Sequence, residues 1–151
     1  MRQASPQLIA LLNADQFLMA DLYTITTIQG EVYRYTNADV HLLVDQQTYR
    51  ADGPIIAREG ISLSLGIEVD HLSISIAVTE NTMLGDMHVV QAFHNGVLDG
   101  ARFKLERVFM DGHSVDHRDT VITLFEGRII EPEFDRNIIQ ASVASDVDVL
   151  A

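Results

Sequence analysis

Apolar and polar residues alternate along most of the chain, most clearly over Ile61–Val78, ISLSLGIEVDHLSISIAV. Ile61, Leu63, Leu65, Ile67 and Val69 alternate with Ser62, Ser64, Gly66 and Glu68, the period of a β-strand with one dry face. After Asp70 the phase reverses, and Leu72, Ile74, Ile76 and Val78 carry the apolar series. A one-residue shift turns side chains to the opposite face. The reversal therefore needs either an extra residue bulging at Asp70-His71 or a two-residue turn that folds the stretch into a hairpin. Asp-His lacks the Gly or Asn of a tight primed turn, which favours the bulge. Either arrangement puts the stretch at the centre of a sheet, with Gly66, Asp70 and Leu72 at its irregularity.

The same pattern divides the rest of the chain. Ser5-Pro6 is a helix start, a capping hydroxyl followed by proline at the first helical position. Leu8, Ile9, Leu11 and Leu12 give that helix one apolar face, and Asn13-Ala14-Asp15 ends it. So short a helix must dock, either as a cap on a barrel or against a neighbouring protein through Leu8 and Leu12. Phe17–Ile28 and Glu31–Thr36 form a hairpin around Gln29-Gly30. Val40–Val44 and Gln47–Ala51 form another around Asp45-Gln46, and Asp52-Gly53-Pro54 breaks the pattern. A second helix is capped by Asp86, buries Val89, Val90 and Phe93, and stops at Asn95-Gly96. Leu98-Asp99-Gly100 turns the chain into a strand in which Ala101, Phe103, Leu105 and Phe109 alternate with Arg102, Lys104 and Glu106. Asp111–Asp119 reads as an exposed loop, Thr120–Ile130 as a strand apolar on both faces, and Glu131-Pro132-Glu133 as a turn. Ile139, Ala141, Val143, Val147 and Val149 alternate through a final strand. The links are too short for crossovers, so the strands are expected to be mainly antiparallel. The fold class is mainly β (α+β): a twisted antiparallel sheet or barrel-like domain over residues 5–150, with two short helices.

Composition narrows the functions. At 151 residues and 47% hydrophobic content the chain can bury a core as one domain. The absence of Cys excludes disulfides and thiolate metal sites. No run of residues is long enough to span a bilayer, and with one Arg, a short apolar run and an early Asp15 the N-terminus is not expected to be a secretory signal. The net charge of −12, with ten basic residues dispersed along the sequence, argues against sequence-specific nucleic-acid binding and against an anionic membrane surface.

Candidate chemistry is sparse. Asp111, His113, Asp116, His117 and Asp119 are the best metal candidates, with His113 and His117 at a ligand-like spacing. Gly112 and the surrounding polar residues favour a solvated loop over an oriented ligand set. No metal or other cofactor is expected. Hydrolase and phosphate-binding motifs are absent, and the serines of Ser62–Ser75 alternate as the polar face of a sheet. Glu126, Glu131 and Glu133 could pair as acid and base only around a pocket. Tyr23, Tyr33 and Tyr35 form either a packed cross-strand cluster or the lining of a ligand-binding barrel.

The order of these pieces resembles a known family. The pieces are DLYTITTIQGEVYRYTN, QQTYRADG, the segment GIEVDHLSISI, a helix ending near NGVLDGA, the strand RFKLERVF, and EGRIIEPEF before a last alternating strand. The most specific are Val69-Asp70-His71-Leu72 and Leu98-Asp99-Gly100-Ala101. The chain resembles the DUF2163-type (also described as BR0599-type) phage tail hub proteins, including gene-transfer-agent hubs, and the N-terminal part of lambda-like minor tail tip proteins. The resemblance implies a non-enzymatic structural hub at the distal end of a siphophage-type tail tube. It implies a ring of three copies that contacts the distal tail protein above and tip or fibre proteins below. It further implies location in the virion tail, with host cytoplasm as the place of assembly. Structural roles are expected for Gly66, Asp70 and Leu72 at the sheet irregularity and for Asp99 and Gly100 at the helix-to-strand turn. Longer members carry a Cys-bearing metal or iron–sulfur region, for which this chain has no Cys. The rival readings are a metal-dependent enzyme using His113 and His117, and a small-ligand β-barrel. An acidic surface lining the tube lumen would let DNA pass without sticking.

Overall fold

The computed structural model describes residue 6 and residues 17–58, 71–112 and 114–145. Its strands are β1 (Leu18–Thr26), β2 (Val32–Thr36), β3 (Leu42–Val44), β4 (Gln47–Tyr49), β5 (Ile55–Arg58), β6 (His71–Ala77), β7 (Met83–Leu84), β8 (Met87–His88), β9 (Arg102–Met110), β10 (Ser114–Val115), β11 (Val121–Asp135) and β12 (Ile138–Ser145). One short helix, α1 (Val89–His94), precedes β9. The fold is mainly β, as the alternation implies. A seven-stranded antiparallel sheet in the order β2-β1-β9-β11-β12-β6-β5 curls into a half-barrel. Of the other expected helix only Pro6, which is helical, is described; Leu8 and Leu12 lie outside the described residues.

The curl sorts the side chains. Tyr23, Ile25, Leu72, Ile74, Ile76, Phe103, Leu105, Ile139 and Val143 pack inside it, with Val89, Ala92 and Leu98 plugging the hollow. Ala20, Leu22, Val108 and Met110 point outward and are covered by a small sheet in the order β10-β3-β4, whose Leu42, Val44 and Tyr49 complete a second core.

Several expectations need correction. The described half of the central ribbon, β6, lies next to the edge strand β5, and the centre of the sheet is β11. Residues Ile61, Gly66 and Asp70 lie outside the described residues. Glu131-Pro132-Glu133 is not a turn: β11 continues to Asp135, and its register against β12 shifts by one residue between Ile130 and Glu133. Proline has no amide to give to a ladder and is tolerated at such a bulge. The turn falls instead at Arg136-Asn137, both at positive φ (51° and 70°). A second shift, between Thr123 and Phe125, puts both Leu124 and Phe125 in the core and accounts for a strand apolar on both faces. The loop after β9 contains β10, which pairs parallel with β3, an exception to the antiparallel rule.

Helix α1 is capped by His88, not Asp86. The His88 Nδ1 accepts from the Val90 amide at 3.2 Å while its Nε2 lies 2.9 Å from the Thr79 carbonyl oxygen. A ring that donates through Nε2 leaves Nδ1 as an acceptor, so the histidine replaces the usual capping carboxylate. The helix does stop at Asn95-Gly96. Gly96 is left-handed (φ 73°), its amide donates to Phe93 O, and the Val97 amide reaches Ala92 O at 3.0 Å. This is the paired-bond ending that glycine favours.

Candidate functional site

The half-barrel is closed by side chains. Odd-numbered residues of β1 face the hollow, so Asp21 stands in the same row as Tyr23 and Ile25, and opposite Arg107 of β9. Arg58 of the edge strand β5 reaches across the opening to the same carboxylate. Its Nε and Nη2 donate to Asp21 Oδ2 at 3.2 and 2.9 Å, and Arg107 Nε and Nη2 each donate to Oδ1 at 3.2 Å. Asp21 is buried, as a charge can be when two guanidinium forks satisfy its oxygens. The Tyr23 hydroxyl lies 3.4 Å from both Asp21 Oδ2 and Ile56 O. Burial, followed by the Asp21 charge, pushes its pKa well above the ordinary tyrosine range.

A second buried acid, Glu106, lies on the outer side of β9 beneath the small sheet. Arg118 pairs with its Oε1 and also donates to the Tyr49 hydroxyl at 3.3 Å, while Lys104 stands 3.7 Å from Oε2. Sequence alternation assigned Glu106 to a wet face; the small sheet makes that position dry.

The outer face of β5, β6 and β12 is open. Cross-strand pairing lines up Ile55, Ala77 and Ile138 in one row, Ala57, Ser75 and Gln140 in the next, and Ser73 with Ser142 beyond. These eight side chains carry no charge on a chain of net charge −12. Five of them, Ala57, Ser73, Ser75, Gln140 and Ser142, line a shallow cavity of about 490 Å³ together with the charged Arg58, Glu131 and Glu133. Ile55, on the edge strand, is 70% exposed.

The residues singled out from sequence fall in different places. Leu72 is fully buried in β6 opposite Val143. Gly100 is left-handed (φ 72°) and donates its amide to Ile129 O at 3.0 Å, while the exposed Asp99 precedes it in the turn. Tyr23 and Tyr35, directly opposite one another, are 3% and 4% exposed and pack in the core. The Tyr35 hydroxyl accepts from the Gly85 amide at 3.0 Å, and burial raises its pKa. Tyr33 donates to Glu31 Oε2 at 2.6 Å, and this bond, with burial second, pushes its pKa up to about 12. Asp116, His117 and Asp119 border a cleft of about 330 Å³, and His113 lies outside the described residues. Among the described residues no group of three His, Cys, Asp or Glu side chains could hold a metal ion. No described helix is long and apolar enough to cross a membrane.

Sequence reasoning missed Asp21, Arg58 and Arg107. The available signal was a lone charge at a core-facing position, since Asp21 interrupts the series Met19, Tyr23, Ile25.

The described residues thus form a curled half-barrel with a packed hollow and an opening latched by side chains. Residues 5–151 match the family described as baseplate hub protein, N-terminal attachment domain, and the chain belongs to that family. Membership gives it a structural role in a phage tail baseplate. Among solved structures, a chain of the virion of a native gene transfer agent particle superposes with a TM-score of 0.67 at 17% identity. The alignment covers 97% of this chain and 46% of that one, so this chain spans less than half of its length. A comparison with curated proteins gave no match.

Proposed function

We propose that residues 5–150 act as one non-enzymatic attachment domain in the hub of a siphophage-type tail tip. In this reading three copies form a ring at the distal end of the tail tube. The ring meets the distal tail protein on one side and tip or fibre proteins on the other, after assembly in the host cytoplasm. The observation that carries the reading is the uncharged outer face of β5, β6 and β12. Small side chains such as Ser73, Ser75 and Ala57 lose little rotamer freedom on contact. A neutral patch on a molecule of net charge −12 is also where another protein approaches at the least desolvation cost. The family description as an attachment domain points the same way.

The test is Ser75→Arg, at the centre of that face, in the phage or gene transfer agent that encodes the chain. The expected result is a folded protein, judged by an unchanged thermal melt, with tails that lack baseplates in electron micrographs. Normal baseplates at the unsubstituted yield would show that attachment does not use this face.

A further inference from the structure

Four of the ten basic residues, drawn from the three strands β2, β9 and β11, meet on one sheet face. Pairing places Arg34 beside Thr24, Thr24 beside Lys104, and Lys104 beside Glu126. The adjacent row runs through Thr26, Arg102 and Arg128. Directly opposed residues share a face, so all four cations project outward, past the part of the sheet that the small sheet covers. With strands about 4.8 Å apart, the patch is about 14 Å wide from β2 to β11. Within it Glu126 pairs with Arg102 at 3.3 Å and Lys104 stands 3.7 Å from Glu106 Oε2, so four cations face two carboxylates and the cluster stays net positive.

The other end of the same strands is anionic. From Arg102 to Asp111 the chain covers about 30 Å at strand rise. Asp111 follows β9, and Asp116 and Asp119 follow β10. Asp45, in the β3–β4 turn, joins them because Val44 pairs with Val115 and the Asp45 amide donates to Val115 O at 2.9 Å. All four aspartates are exposed.

We propose that the face formed by Arg34, Arg102, Lys104 and Arg128 receives the end formed by Asp45, Asp111, Asp116 and Asp119 of a second copy of this chain. The proposal rests on the ring reading above and supplies its contact. Copies of net charge −12 repel one another at a distance, so their association needs a local match of opposite charge. Two different patches on one chain make a head-to-tail contact, the kind that closes into a ring rather than a two-fold dimer. Nucleic acid would meet the same cations but also the repulsion of the whole acidic molecule, which a copy docking by its far end offsets with four aspartates.

Sedimentation at about 0.01 M and about 1 M salt tests the contact, since the screening length falls from about 30 Å to about 3 Å between them. The chain is expected to associate at the lower salt and to dissociate at the higher. Arg34→Glu with Arg128→Glu, and separately Asp45→Lys with Asp116→Lys, should each weaken association at least about tenfold. A chain carrying all four reversals should regain it. Arg34→Gln with Arg128→Gln, a milder pair, should weaken it less, and melts of every variant report folding. Association that ignores both salt and reversals overturns this contact while leaving the ring reading in place. A chain that stays monomeric at both salts removes the ring reading itself, and the contact with it. Binding of a short duplex DNA that is lost in the Arg34→Glu, Arg128→Glu variant assigns the face to nucleic acid and also overturns the proposal.

Discussion

Asp21 neutralises two arginines from opposite sides of the opening, Arg58 on the edge strand and Arg107 on β9. Removing one member of a buried ion pair leaves the other charged, dry and unsatisfied, which costs more than the pair itself contributes. Asp21→Asn keeps the shape and removes the charge, and should lower unfolding free energy by about 3 kcal/mol in urea titrations. A loss below about 1 kcal/mol would show that water already satisfies both guanidinium groups. The tyrosines add a pH dependence. Tyr23, Tyr33 and Tyr35 all have raised pKa values in the fold, so between the ordinary tyrosine value and the raised ones the native state holds protons that the unfolded chain has released. Their contribution is complete below about pH 10 and is lost as pH rises through the raised values. Thermal melts should fall steeply above about pH 10, and less steeply in Tyr23→Phe. An identical alkaline slope in that variant would assign the loss to other groups.

At the scale of elements, β11 shows what periodicity can and cannot convey. The alternation of Phe103 and Leu105 with Arg102 and Lys104 specified β9 directly, because a regular strand repeats every second residue. Strand β11 breaks that rule twice, at Leu124 and at Glu131-Pro132. A bulged strand therefore resembles two strands separated by a turn when only residue types are visible. Glu131-Pro132-Glu133 has turn composition, yet Glu131 takes a left-handed φ of 50° within a continuing strand. The true turn, Arg136-Asn137, carries no glycine to announce it. Both residues have positive φ, the geometry of a two-residue primed hairpin. Arg136→Asn with Asn137→Gly should therefore stabilise the fold by about 1 kcal/mol, read as a higher melting midpoint. An unchanged or lower midpoint would mean that Arg136 makes contacts worth more than its backbone strain. Another glycine did go unnoticed: a methyl at Gly127 would sit 1.9 Å from Ala144 O, so only hydrogen lets β11 and β12 pair there.

At the scale of the molecule, the curled antiparallel sheet was legible because strand lengths and link lengths constrain topology strongly. Closure of the curl was not, since Asp21 and Arg58 are thirty-seven positions apart and belong to strands that share no ladder. The separation of charge was hidden for the same reason. Basic residues that look dispersed along the chain become neighbours only once β2, β1, β9 and β11 are laid side by side. The uncharged outer face was half visible in the serine alternation, which marked Ser73 and Ser75 as the polar side of β6 but gave no hint that Ala57, Gln140 and Ser142 would extend it.

The latch at Asp21 also determines how this domain yields under load. A barrel sealed by a full ladder shares tension among many backbone bonds, which give way one after another. Here Arg58 and the Tyr23 hydroxyl join β1 to β5 across the gap in place of a backbone ladder, so tension across it falls on side chains before it reaches the ladders on either side.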